Sequence, residues 1–227
     1  LDNIDNPAVL QGINGVSDHH LLVAEAGVQL QLGATALAAG QASALVTLAD
    51  INNFGGTDGG AGVTSKRSSD FPGGLYDFVI TGLSEAGQSV QIVLPQSIPL
   101  PKAAIYRKYI PGGGWQDFVT NGDNRIASAP GSDGVCPAPG DSSYRNGLHA
   151  GDYCIQLTIV DGGGNDTDGI PNGVIRDPGG AEFDSQASGA DSSGGGGCTI
   201  NTSAKMDPIW LFLMLVSAAG FIRQRLR

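Results

Sequence analysis

Apolar and polar residues alternate in several short stretches of the chain. The alternation is clearest in VQLQL (28–32) and SVQIVL (89–94), where every second side chain falls on one face of an extended backbone. Further candidate strands are HLLVAEA, ASALVTLADI, LYDFVITGL, AAIYRKYI and YCIQLTIV, at 20–26, 42–51, 75–83, 103–110 and 153–160. Glycine-rich and proline-rich stretches between them are typical of turns. About eight strands at this spacing predict an all-β fold, an antiparallel β-sandwich with an immunoglobulin-like look.

The segment LYDFVITGLSEAGQSVQIVLP (75–95) is the clearest predicted hairpin. Tyr76, Phe78 and Ile80 share one face of its first strand and Asp77 lies on the other, so one face is better suited to a core. We expect the large aromatic side chains of the strands to be core or rim residues and not a ligand platform; they include Phe78, Tyr106 and Trp115.

The alternating pattern stops near residue 180. The following stretch, GGAEFDSQASGADSSGGGG, has almost no apolar content and predicts a disordered, flexible linker. The chain opens on Leu1 without a signal peptide, which we interpret as a segment of a longer protein. The predicted division is the end of an upstream acidic repeat or linker at 1–18, a β-sandwich at 19–180, a linker at 181–197 and a C-terminal segment at 198–227.

The C-terminal segment contains an apolar run, PIWLFLMLVSAAGFI (208–222), followed by RQRLR. The run is shorter than the roughly twenty residues that usually cross a bilayer, but Ala204 and Met206 extend it. Arginines on the C-terminal side indicate a cytoplasmic end. We therefore expect one short transmembrane helix at 208–222 that spans the inner membrane.

The composition supports the all-β class, and the net charge argues against a nucleic-acid partner. The chain has 36 glycines, 12 prolines and a net charge of −10. Residues 1–197 hold all but one of the 22 acidic residues and lack a basic cluster. Such a body repels nucleic acid and anionic lipid, so we expect no nucleic-acid partner.

No catalytic pattern stands out in the sequence. The three histidines are His19, His20 and His149, and no nucleophile elbow, zinc-protease motif or phosphate loop is present. The adjacent His19 and His20 would face opposite sides of a strand, and we interpret them as an exposed turn pair. We expect the protein not to be an enzyme.

An acidic loop is the strongest candidate for a binding site. DGGGNDTDGIPNGVIRDPGG (161–180) offers six side-chain oxygen ligands for a calcium ion, namely Asp161, Asn165, Asp166, Asp168, Asn172 and Asp177. Calcium favours six to eight such oxygens in a flexible loop. The full EF-hand spacing is absent, and the alternative is a turn cluster in which these side chains bind their own backbone.

The three cysteines predict one disulfide bond and one thiol left over. Cys136 and Cys154 flank a loop rich in glycine, proline and serine, and they could form a disulfide in an oxidising compartment. Cys198 is then unpaired, directly behind four glycines that make the backbone accessible. The alternative is three free thiols in a reducing cytosol.

Three parts of the chain resemble known families. GGGGCTINTSAKMDP, with the short apolar run and the arginines, resembles the JDVT-CTERM class of bacterial C-terminal sorting signals. FPGGLYDFVITGLSEAGQSVQIVLPQSIP, YRKYIPGGGWQDF and DGGGNDTDGIPNGVIRDPGG resemble the choice-of-anchor U domain over about residues 20–180, and LDNIDNP resembles the end of thrombospondin type 3-like calcium repeats. The resemblance implies processing by a membrane-embedded sorting protease near Gly197 and Cys198, and lipid attachment to that cysteine.

These observations predict a non-enzymatic, membrane-proximal module of an exported bacterial surface protein, which acts as a stalk or adhesive element. The precursor would reside in the inner membrane and the mature form at the cell surface or outer membrane, held by the C-terminal segment or by lipid. Two alternatives remain open. One is a calcium-dependent ligand-binding or carbohydrate-binding module, and the other is the anchor domain of a larger surface hydrolase.

Overall fold

A computed structural model describes residues 7–11, 20–56, 60–62, 66 and 70–183. In chain order, these residues form β1 (Pro7–Gln11), β2 (Leu21–Ala26), β3 (Gln29–Leu32), α1 (Ala34–Ala38), β4 (Leu45–Val46), α2 (Leu48–Phe54), β5 (Leu75–Thr81), β6 (Ser89–Pro95), β7 (Ala104–Ile110), β8 (Gly114–Asp117), β9 (Arg125–Ala129), β10 (Arg145–Asn146), β11 (Cys154–Val160) and β12 (Ile175–Phe183). The strands pair antiparallel throughout the described residues.

The strands form two sheets. The first has the order β1-β2-β6-β11-β9-β10, and the second has the order β3-β5-β12-β7-β8, with β4 also paired to β5. β5 and β6, which the sequence predicts as one hairpin, lie in different sheets. The chain therefore crosses between the sheets at the turn 82–88, and the prediction that β5 and β6 pair as a hairpin is wrong.

The main core lies between the two sheets. Leu22, Ile92 and Leu157 from the first sheet and Phe78, Tyr106 and Ile175 from the second belong to one buried cluster. The inward side chains alternate with outward ones along the strands, as the sequence pattern predicts. This arrangement confirms the all-β, antiparallel sandwich.

A second, smaller core covers the outer face of β5. Both faces of this strand are buried because α1, β4 and α2 pack against it, with Leu48, Ile51 and Phe71 around Leu75. The face of Tyr76, Phe78 and Ile80 packs in the main core, and the other face is buried as well. Trp115 lies at the rim of this cluster, where its ring is stacked on Phe71 at a centroid distance of 4.7 Å.

The segment 42–51 is not the single strand that its pattern predicts. Only Leu45 and Val46 pair with β5, and α2 begins directly afterwards. Thr47 caps this helix because its hydroxyl accepts the Asp50 N–H at 3.1 Å while the Asp50 carboxylate accepts the Thr47 N–H at 2.8 Å. The capping signal thus ends the strand after two residues.

The sandwich extends at both ends beyond the predicted bounds 19–180. Strand β1 pairs with β2, within the stretch interpreted as an upstream repeat, and β12 continues to Phe183. Residues 181–183 are thus strand and not linker. No helix among the described residues is long and apolar enough to cross a membrane. The remaining predicted linker and the predicted transmembrane segment 208–222 lie outside the described residues.

Candidate functional site

The acidic loop connects β11 to β12, and its first residue organises it. The Asp161 carboxylate accepts backbone N–H groups from Gly87 at 2.8 Å, Gly173 at 2.8 Å and Asn172 at 3.2 Å. Burial raises the pKa of Asp161, but the backbone N–H donors outweigh this and the pKa lies below its ordinary value. Asp161 therefore ties both ends of the loop to the turn between β5 and β6.

Two further aspartates also bind backbone within the loop. Asp166 accepts the N–H of Gly162 at 2.9 Å and of Arg176 at 3.0 Å, and burial raises its pKa. Asp168 accepts the N–H of Ile170 at 3.0 Å and also contacts the side chains of Asn172 and Arg176. These contacts are those of an Asx-turn cluster.

Asn165 fixes the loop to the segment that follows β8, the last strand in the order of the second sheet. Its side-chain oxygen accepts the Val119 N–H at 2.8 Å, and its side-chain nitrogen donates to the Val119 carbonyl at 2.8 Å. These two hydrogen bonds have the same donor and acceptor pattern as a pair of residues hydrogen-bonded between neighbouring antiparallel strands. Its own carbonyl oxygen accepts a hydrogen bond from the Lys108 ammonium.

Asp177 lies in the sandwich interior and not in the loop. On β12 it shares the inward face with Ile175, and it is 0% exposed. Lys108, which is 1% exposed, forms an ion pair with it at 2.9 Å between Nζ and Oδ1. Burial raises the pKa of Asp177, and the Lys108 ammonium offsets this only in part.

Sequence reasoning missed Lys108. Its signal was present in AAIYRKYI, because Lys108 occupies the same face as Ala104 and Tyr106 in the alternation. A lysine at a core-facing position of a strand requires a buried acceptor. Nothing in the local sequence, however, indicates that Asp177 supplies the acceptor.

The six predicted calcium ligands therefore divide into two groups. Asp161, Asp166, Asp168 and Asn172 belong to one turn network, whereas Asn165 and Asp177 contact Lys108. Within the described ranges, no group of three or more acidic, histidine or cysteine side chains is placed to hold a metal ion. Calcium binding stays a prediction.

The predicted disulfide bond between Cys136 and Cys154 is present. It joins the turn 131–136 to the first residue of β11. His20 holds the same turn because its Nε2 lies 2.7 Å from the Asp133 carboxylate. His20 is 9% exposed, so the interpretation as part of an exposed pair is wrong for this residue. His19, Gly197 and Cys198 lie outside the described residues.

An open cleft of about 510 Å³ lies between the turn after β8 and strand β10. It is lined by Thr120, Asn121, Gly122, Arg125, Ile126, Asn146 and Gly147. Arg125 is the one ionisable side chain in this lining, and it donates to the Gly122 carbonyl at 3.0 Å. The cleft therefore offers no acid–base pair of its own.

The two sheets and their shared core define the described part of the chain as an antiparallel β-sandwich. Comparison of the chain with protein-family models, with curated proteins and with solved structures found no match. The assignment of the fold class depends on the strand pairing and the core alone.

Proposed function

We propose that this chain is the non-enzymatic, membrane-proximal module of an exported bacterial surface protein. In this proposal an immunoglobulin-like sandwich acts as a stalk or adhesive element, and residues 184–197 link it to the sorting signal with its short transmembrane helix. A membrane-embedded protease processes the precursor in the inner membrane near Gly197. Lipid on Cys198 then holds the mature form at the cell surface.

The observation that carries this proposal is the Cys136–Cys154 disulfide bond. Disulfides form and persist in oxidising compartments outside the cytosol, so the bond supports export. The arginines at the end of the tail support the same conclusion, because they favour a cytoplasmic C-terminus and so place the acidic body on the outer side of the membrane.

The position of the last strand fits a stalk. β12 lies between β5 and β7, and Phe183 at its end pairs with Ala104. A pull on the tail therefore acts first on residues 179–183, which pair with β7, and then on residues 175–179, which pair with β5. The strand detaches only after both ladders have separated.

Replacement of the cysteine tests the processing step. We expect Cys198→Ala to leave the sandwich folded and to block maturation, so that uncleaved precursor accumulates in the inner membrane. Fractionation and mass spectrometry of the C-terminus measure this, with Thr199→Ala as the neighbouring control. Maturation of Cys198→Ala at the rate of the parent would overturn the role given to the cysteine.

A calcium-dependent binding module is the second candidate, and the carboxylates of Asp161, Asp166 and Asp168 favour it. A bound cation would relieve their mutual repulsion, so millimolar calcium should raise the melting temperature relative to a chelator. The matched control is Asp168→Asn, which should reduce the increase. An unchanged melting curve for the parent would favour the turn cluster instead.

A further inference from the structure

We propose that the side chains of Lys108 and Asp177 condense to an intramolecular isopeptide bond, which cross-links strands β7 and β12 inside the sandwich. The proposal concerns a covalent modification of the protein by its own residues. It does not depend on the proposed surface function.

The two groups are held within reach of each other. Lys108 Nζ lies 2.9 Å from Asp177 Oδ1. Because a carbon–oxygen bond is about 1.2 Å long, the Asp177 carboxyl carbon is no more than about 4 Å from the nitrogen. Reacting atoms in productive intramolecular complexes are about 3–3.5 Å apart, so a small rotation of either side chain suffices.

The strand register fixes this approach. Lys108 is directly opposite Gly179 on β12, and Asp177 is two residues away on the same inward face. A Cβ atom at Gly179 would lie 2.7 Å from the Arg107 carbonyl oxygen and 2.8 Å from the Tyr106 ring. The absence of a side chain at Gly179 thus leaves room for the side chain of Tyr106, which lies beside the pair.

Without the covalent bond, the buried ion pair is incompletely hydrogen-bonded. Lys108 and Asp177 are 1% and 0% exposed, and neither carboxylate oxygen makes a hydrogen bond of normal geometry. The buried hydroxyl of Tyr106, which interacts electrostatically with Asp177, also has no hydrogen-bond partner. Buried ion pairs with incomplete hydrogen bonding contribute little net stability, because the desolvation of both charges opposes the attraction.

An amide would satisfy the same groups. Its N–H would keep the hydrogen bond that Lys108 now donates to the Asn165 carbonyl. Its carbonyl oxygen would be an acceptor for the Tyr106 hydroxyl. The reaction also removes two buried charges, so the sandwich interior favours the product over the ion pair.

The chemistry balances without an added reactant. One proton passes from Nζ to Oδ1, which leaves a neutral amine beside a carboxylic acid. The nitrogen lone pair then bonds to the carboxyl carbon, a carbon–oxygen bond breaks, and the oxygen leaves with a second proton from nitrogen as one water molecule. The buried carboxylate of Asp166, which interacts with the Lys108 charge, can carry that second proton.

The bond would tie the last strand to its neighbour β7 in the second sheet. Residues between 108 and 177 would form a closed covalent loop that cannot be extended when the tail is pulled. The benefit of such a loop rests on the proposed stalk function, whereas the bond itself does not.

Mass spectrometry of the folded, full-length chain tests the proposal after reduction and alkylation of the cysteines. We expect an intact mass lower than the sequence mass by one water molecule, and a branched peptide that joins Lys108 to Asp177. A chain whose mass shows no loss of water would overturn the proposal. A loss of water that maps to any other residue would overturn it as well. The mapping is essential because Asp–Gly pairs also lose water.

Four variants sharpen the result. Asp177→Ala and Lys108→Arg should retain the full mass, and Asp177→Asn should cross-link by losing ammonia, which yields the same final mass as the cross-linked parent. Tyr106→Phe should still cross-link but more slowly, because the amide oxygen loses its donor. If Asp177→Ala or Lys108→Arg fails to fold, the masses of the parent and of Asp177→Asn still show whether the cross-link forms. A folded Asp177→Asn chain whose mass shows no loss of ammonia would contradict the proposal.

Discussion

At the scale of single residues, Asp77 shows how burial changes the chemistry of a side chain. It lies on the outer face of β5, 4% exposed, where its carboxylate accepts the Ala36 N–H at 2.9 Å. A Cβ atom at Gly33 would lie 1.9 Å from this carboxylate, so only glycine fits there. Burial raises the pKa of Asp77 to about 6, although the N–H groups of Ala36 and Thr35 oppose the shift.

This raised pKa makes stability depend on pH. A carboxyl group whose folded-state pKa is about 6, against an ordinary 3.8, stabilises the fold below pH 3.8, and this contribution is lost as the pH rises through 6. The loss amounts to about 3 kcal/mol. We expect the free energy of unfolding to fall between pH 4 and pH 6.5, and Asp77→Asn to flatten most of that slope.

Urea unfolding at a series of pH values measures the effect. Asp123→Asn, on an exposed turn, is the matched control and should keep the slope of the parent. Glu25 and Asp166, whose pKa values are also raised by burial, account for a residual slope in Asp77→Asn. If Asp77→Asn keeps the slope of the parent, the Asp77 carboxyl group is not the source of the pH dependence.

At the scale of elements, the connection between β11 and β12 depends on Asp161. Replacement by alanine leaves three backbone N–H groups without their acceptor, those of Gly87, Asn172 and Gly173. We expect Asp161→Ala to reduce the free energy of unfolding by about 2–3 kcal/mol. Thermal or urea unfolding measures this.

Asp168→Ala is the control from the same loop. Its side chain is 23% exposed and its ion pair with Arg176 lies near the surface, so the expected loss is about 0.5 kcal/mol. If both variants lose the same free energy of unfolding, the charge of the loop, and not the hydrogen bonds to Asp161, determines the stability of the loop. The comparison needs no calcium and should be made in chelator.

At the scale of the whole molecule, the disulfide bond stabilises the sandwich by restricting its unfolded chain. The bond closes a segment with a sequence separation of 18, for which chain entropy predicts about 3 kcal/mol. We expect reduction to lower the unfolding midpoint, and a Cys136→Ser, Cys154→Ser double variant to unfold at the midpoint of the reduced parent. A reductant should leave the double variant unchanged, and equal midpoints for reduced and oxidised parent would contradict the prediction.

The last strand shows most clearly where local pattern misleads. The sequence IRDPGGAEF contains proline, two glycines and three charged residues, which is typical of a loop. In the structure it is a central strand, because β5 and β7 supply hydrogen bonds on both sides. Its glycines are required by close approach, since a Cβ atom at Gly180 would lie 2.6 Å from the Gly74 carbonyl oxygen.

The sequence by itself determined the strands with regular alternation, such as β6 and β11, and the β-sandwich class, and it favoured the pairing of Cys136 with Cys154 over free thiols. Alternation records which side chains face a core, and it survives in any tertiary context that buries one face. The tertiary structure alone decided that β12 is central, that two helices cover β5 and that Lys108 contacts Asp177. These features depend on contacts between segments far apart in the chain, and local periodicity carries no information about which distant segment supplies the partner.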